Sequence, residues 1–133
     1  MNKELKASLR DVCREGERRK KDAKRKAIEK EQEKKRDFEK YANEKINSIP
    51  HLLKTAIATS ELKFVLCRIP HGDKRFLKPG NPEVGNMIRA PKVFWDKLLE
   101  VGYKPKFEPH PEYEDESSIV LYVEDVLQTI EDD

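Results

Sequence analysis

The chain has 133 residues, 41% of them charged and 36% hydrophobic, with a net charge of +2. That length suits one domain with an appendage, and that polarity excludes a uniformly packed globule. The near-neutral total conceals an asymmetry: residues 1–49 hold 17 Lys/Arg and 11 Asp/Glu, residues 50–107 hold 11 and 5, and residues 108–133 hold 10 acids and no base. The expected chain is therefore basic for most of its length and acidic at its end, which favours partners of opposite sign or contact between its own parts.

No 18-residue apolar run exists that could span a membrane, and the first 17 residues lack the apolar stretch of a signal peptide. The expectation is a soluble protein of the cytoplasm, the host cytoplasm if the protein is viral, with no membrane partner. Cys13 and Cys67 are then expected as two free thiols in a reducing compartment.

Leu5, Leu9 and Val12 with Cys13 form a stripe on one face of a helix. A second stripe comes late, with Phe38, Tyr41, Ala42, Ile46 and Ile49. Between them, residues 14–37 hold only Ala23, Ala27 and Ile28 as apolar side chains. A helix that is polar all round leans on side-chain pairs or on a partner. Pairs are available, since Glu15–Arg19, Glu17–Lys21, Asp22–Lys26 and Glu31–Lys35 each place an acid four residues before a base. Each such pair contributes about 0.2–0.5 kcal/mol. Gly16 opposes the helix by about 1 kcal/mol and is where it could kink. The spacing predicts one long helix over residues 3–47, roughly 65 Å in length.

Pro50 marks a break, with Ser48 expected to cap a new helix running to Thr59. Residues 63–69 (KFVLCRI) read as a buried strand. Residues 70–90 contain three prolines and three glycines and read as a long loop anchored by Phe76, Leu77, Met87 and Ile88. Loops longer than about 15 residues are often functional. A helix follows over 91–101, with Pro91 in its first turn and Gly102 at its end. Strands are expected at 103–107 and 118–123, joined as a hairpin through an acidic turn, with a short helix over 125–130.

The expected fold class is α+β: a charged helical arm over 1–49, and over 50–133 a small head with a three-stranded sheet packed on one or two helices. The head includes the long loop 70–90 and the acidic C-terminal region.

The residues suggest binding rather than catalysis. Cys67 with His51 or His71 could form a nucleophile–base pair, but a thiol within an apolar strand is usually an inert core group. His110, Glu112, Glu114, Asp115 and Glu116 offer metal donors, yet their spacing matches no zinc or calcium motif and suits an exposed hairpin loop. The stretch from His71 to Arg75 reads as an exposed turn, and Lys78 to Pro82 lacks the context of a phosphate loop. The expectation is a non-enzymatic protein with no cofactor, no metal and no catalytic residue.

Two kinds of binding remain. Leu5, Leu9 and Val12, and Phe38, Tyr41 and Ile46, make narrow stripes suited to docking on a partner protein or a second copy, or to covering the head's own sheet. Alternatively, Arg18, Arg19, Lys20, Lys21, Lys24, Arg25 and Lys26 put seven bases in nine positions, enough to neutralise several nucleic-acid phosphates. Against the second, Glu29, Glu31 and Glu33 follow at once, and no zipper of heptads succeeds the basic run.

From His51 onward, the helix HLLKTAIATSE running into KFVLCRI, and the helix VFWDKLLEVGYK followed by SIVLYV, resemble small α+β modules found among bacteriophage accessory proteins. The resemblance covers roughly the last 80 residues. It implies a viral accessory protein without enzymatic activity that binds and modulates a host complex, as an inhibitor does, or serves as an assembly subunit. The long loop and the charged arm depart from that pattern.

Overall fold

The computed structural model describes residues 2–132. The fold is α+β, in the order α1 (Lys3–Asn47), α2 (Ile49–Ala58), β1 (Lys63–Pro70), a short 3-10 turn (Val84–Asn86), α3 (Arg89–Val101), β2 (Lys106–Pro109), β3 (Glu116–Tyr122) and α4 (Val123–Asp132). The chain forms two compact units, residues 1–36 and 37–133. The last turns of α1 fall in the second unit and carry apolar side chains that its core uses.

In the first unit α1 passes through Gly16 without interruption. Of the four expected acid–base pairs, Glu15–Arg19 closes at 3.0 Å among the described residues. Arg25 lies instead between Asp22 and Glu29, 3.9 Å from each. These pairs are more than half exposed, so each contributes little. Backbone propensity is the main local support for this stretch.

In the second unit, Ser48 separates α1 from α2, and Pro50 sits in the first turn of α2. Ser48 does not cap α2 as expected. Its hydroxyl donates backward to the Lys45 carbonyl at 2.6 Å, because its backbone is already helical and cannot aim the side chain at the following amides. Helix α2 ends in a left-handed residue, Ser60 at φ 57°, where the Glu61 amide reaches back to the Ala56 carbonyl.

The three strands lie in the order β1-β3-β2, antiparallel throughout. Strand β3 is central and buried from Ser117 to Leu121. Strict alternation along Phe64-Val65-Leu66-Cys67-Arg68-Ile69 would put Arg68 on the core face with Phe64 and Leu66. A register shift between Val65 and Cys67 prevents this. The extra residue, Leu66, lets Leu66, Cys67 and Ile69 all face inward while Arg68 faces out. The core unites those side chains with Ile119 and Leu121 of β3, Ala42 of α1, Ile49 and Ala56 of α2, Phe94 and Leu98 of α3, and Val126 of α4.

The other face of the sheet carries Val120 and Ser118, buried but outside that cluster. Lys63 of β1 bonds Glu108 of β2 at 2.8 Å, so the pair spans β3 near Val120. Arg68 bonds Glu116 at 2.6 Å and stacks 4.4 Å from the Tyr113 ring centroid. Long charged side chains thus shield this face with their stems.

Two expected strands are shifted. Tyr103 is not in a strand, since its amide donates to the Leu98 carbonyl and completes the cap of α3 around left-handed Gly102 (φ 109°). Pro105 has no amide to pair, so β2 begins at Lys106. Strand β3 starts at Glu116 and passes directly into α4 at Val123. The expected hairpin through the acidic turn is present, as β2 and β3. The stretch over 70–90 is ordered by its four apolar anchors: Leu77 pairs with Met87, both are buried, and the Ile88 amide bonds the Phe76 carbonyl.

Candidate functional site

In the first unit every residue from 2 to 36 is exposed. Leu5, Leu9 and Val12 remain 50%, 46% and 67% exposed, a continuous apolar stripe without cover. Further along, Arg18 to Lys26 occupies about two and a half helical turns. Arg19 and Arg25 are held by neighbouring acids. The other five bases, Arg18, Lys20, Lys21, Lys24 and Lys26, have no ion-pair partner among the described residues. Their charges point around the helix axis, so the run is a field rather than a shaped pocket.

The second expected stripe has a different environment. Phe38, Tyr41 and Ile46 are partly buried, and Tyr41 and Ile46 pack against the core of the second unit. Tyr41 meets Phe94 edge-on at 6.2 Å between ring centroids, and its hydroxyl lies 3.3 Å from the Cys67 sulfur. Phe38, Tyr41, Cys67, Phe76 and Pro91 line a groove of about 280 Å³. That falls just below the usual size of small-molecule pockets, about 300–1,000 Å³, and suits one or two apolar side chains.

Cys67 is buried, and burial pushes its thiol above the ordinary value, outweighing the opposing effects of Tyr41 and Lys45. It is therefore held as the thiol, the unreactive form. Burial, then the bond to Cys67, pushes the Tyr41 hydroxyl well above its ordinary value. A base for Cys67 would have to come from elsewhere, since His71 Nε2 is engaged with Ser117 Oγ at 2.7 Å. Among the described residues no group of three or more His, Cys, Asp or Glu side chains is placed to hold a metal ion. His110 instead accepts a hydrogen bond from the Glu112 amide at its Nδ1, and Glu116 is committed to Arg68.

Part of the C-terminal acidity is thus consumed internally. Glu108 takes Lys63 and the Tyr122 hydroxyl, and Glu116 takes Arg68. Lys63, then Tyr122, holds the Glu108 carboxyl below its usual range. A different group of acids, in no ion pair among the described residues, stands beside apolar side chains at a cleft between the turn after α2 and helix α4. Sequence reading missed it, because the cleft joins residues more than 60 positions apart. The signal was the apolar period of Val123, Val126, Leu127 and Ile130, a helix face wider than a short closing helix needs.

No protein-family model, no curated protein and no solved structure matches the chain. No helix of the described residues is long and apolar enough to cross a membrane.

Proposed function

We propose that the protein is a non-catalytic binding module that holds a partner protein through residues 3–36 of α1. The observation that carries this reading is the exposure of every residue along that stretch, including the Leu5–Leu9–Val12 stripe. A short apolar row at i, i+4 and i+7 is what a helix offers to a hydrophobic groove. A helical stretch that buries nothing of its own, as residues 3–36 do, gains tertiary support there from whatever it binds. Phe38, Tyr41 and Ile46 serve the second unit's core and contribute less to this surface. This reading takes the partner to belong to a host or viral complex, with inhibition, modulation or assembly as the outcome and the cytoplasm as the compartment, which is what a phage accessory module would do. Self-association through the same stripe is the simplest special case. The test is association of the full chain against a Leu5→Ser, Leu9→Ser, Val12→Ser variant. Loss of the partner with the fold intact supports the reading, and full retention refutes it.

A specific observation favours a second reading, nucleic-acid binding: the five bases of 18–26 that lack an acid partner. If each neutralised one phosphate, the logarithm of the affinity for duplex DNA would fall with the logarithm of salt at a slope of about −4.5, from −0.9 for each contact. Replacement of all seven bases by glutamine should abolish that binding. A flat salt response would refute it.

A further inference from the structure

We propose that the cleft between the turn after α2 and helix α4 is a docking site for a basic amphipathic helix of a partner protein. This surface lies wholly in the second unit and does not depend on the role given to α1.

The cleft is built, not incidental. Its two walls are joined at the base, where the Val123 amide donates to the Leu62 carbonyl at 2.9 Å. The preceding Schellman turn at Ser60 aims Leu62 outward. Leu62 is 81% exposed and Leu127 43%, and with Val123 they give the cleft, about 520 Å³, an apolar floor. Single exposed leucines are ordinary, whereas two converging on one concavity mark a binding surface.

Charge identifies the occupant. Glu61, Glu124 and Glu131 line the cleft, and among the described residues no Lys or Arg lines it; Lys63, 5.6 Å from the ring of the lining residue Tyr122, is paired with Glu108. None of the three is in an ion pair among the described residues, unlike Glu108 and Glu116 on the sheet. Three carboxylates around apolar side chains repel nucleic acid and acidic peptides and attract Lys or Arg.

Helix geometry identifies the shape. Along α4, Val123, Leu127 and Glu131 form one ridge at a spacing of four, and Glu124 and Gln128 form the next. Such ridges pack against the grooves of another helix. Helix α4 is 10 residues long, so the contact spans about three turns. The partner would set an apolar side chain between Leu62 and Leu127 and a base opposite each glutamate.

The test titrates the full chain with a synthetic helical peptide carrying leucine at i, i+4 and i+7 and lysine elsewhere. The control peptide has glutamate in place of lysine. The lysine peptide should bind, perturb the amide resonances of Leu62, Val123 and Leu127, and weaken as salt rises. Leu62→Lys with Leu127→Lys should lower its affinity at least about tenfold, as expected when close contacts turn repulsive. Both side chains face solvent, so the variant keeps its fold, which Trp95 fluorescence verifies. Equal binding of the two peptides, no loss in the variant, or no binding at all would overturn the proposal. It is also overturned if the chain alone proves oligomeric and that variant dissociates it, for then a second copy is the occupant.

Discussion

Tyr41 and Leu9 belong to similar-looking stripes of the same helix, and their replacement by alanine should have very different consequences. Tyr41 packs on the core, meets Phe94 edge-on and contacts the Cys67 sulfur. Truncation of a fully buried aromatic costs about 3–5 kcal/mol. Tyr41 is only partly buried, so Tyr41→Ala should cost about 2 kcal/mol. Leu9 is 46% exposed on a helix that buries nothing around it, and leucine and alanine are both strong helix formers. Leu9→Ala should therefore change stability by less than about 0.5 kcal/mol. The single tryptophan, Trp95, lies in the second unit and packs against its core, so its fluorescence in urea reports that unit's unfolding. Tyr41→Ala should move the urea midpoint down clearly, and Leu9→Ala should leave it in place with the helical circular dichroism unchanged. Equal shifts for the two variants would refute the division of labour between the stripes.

Other consequences are as direct. Cys13 is exposed and Cys67 buried, so a thiol reagent should label one cysteine quickly and the second only in denaturant. Ser60→Gly should raise the melting midpoint, because glycine relieves a left-handed strain of about 1 kcal/mol or more. Glu108→Gln should cost about 1 kcal/mol by removing a part-exposed ion pair and weakening a tyrosine hydrogen bond. The Glu108 carboxyl titrates lower in the folded state than in the unfolded chain, so its contribution is present above the ordinary carboxylate value and lost as pH falls through the folded value. The wild type should therefore lose more stability in acid than Glu108→Gln does. Tyr41 works in the opposite sense. Its folded value lies above the ordinary 10.0, so its contribution is full below that pH and declines as pH rises beyond it, and Tyr41→Phe should flatten the alkaline decline.

Local rules made much of the fold legible. The long helix followed from propensity, α3 from its proline start and glycine end, and the hairpin from two apolar runs around an acidic turn. Features that depend on distant contacts were not legible. The bulge at Leu66 exists because Arg68 must leave the core, and that demand appears only when β1 pairs with β3. Ser48 looks like a cap by type, but its helical backbone turns the hydroxyl toward Lys45. Of the candidate surfaces, the sequence named both stripes and the basic run by residue. It could not separate a stripe facing solvent from one that meets a sheet, since Phe38–Tyr41–Ile46 and Leu5–Leu9–Val12 share one helical period. The cleft at Leu62 and Leu127 needed the tertiary fold to bring α4 beside the turn after α2.

The decisive measurement is recovery of partners from a cell lysate by the full chain and by the Leu5→Ser, Leu9→Ser, Val12→Ser variant, each with and without nuclease. A protein recovered in fixed proportion by the wild type, resistant to nuclease and lost by the variant, is the predicted result. Recovery of the same protein by the variant would contradict binding through the stripe. Recovery that collapses with nuclease would transfer the function to the basic run between Arg18 and Lys26.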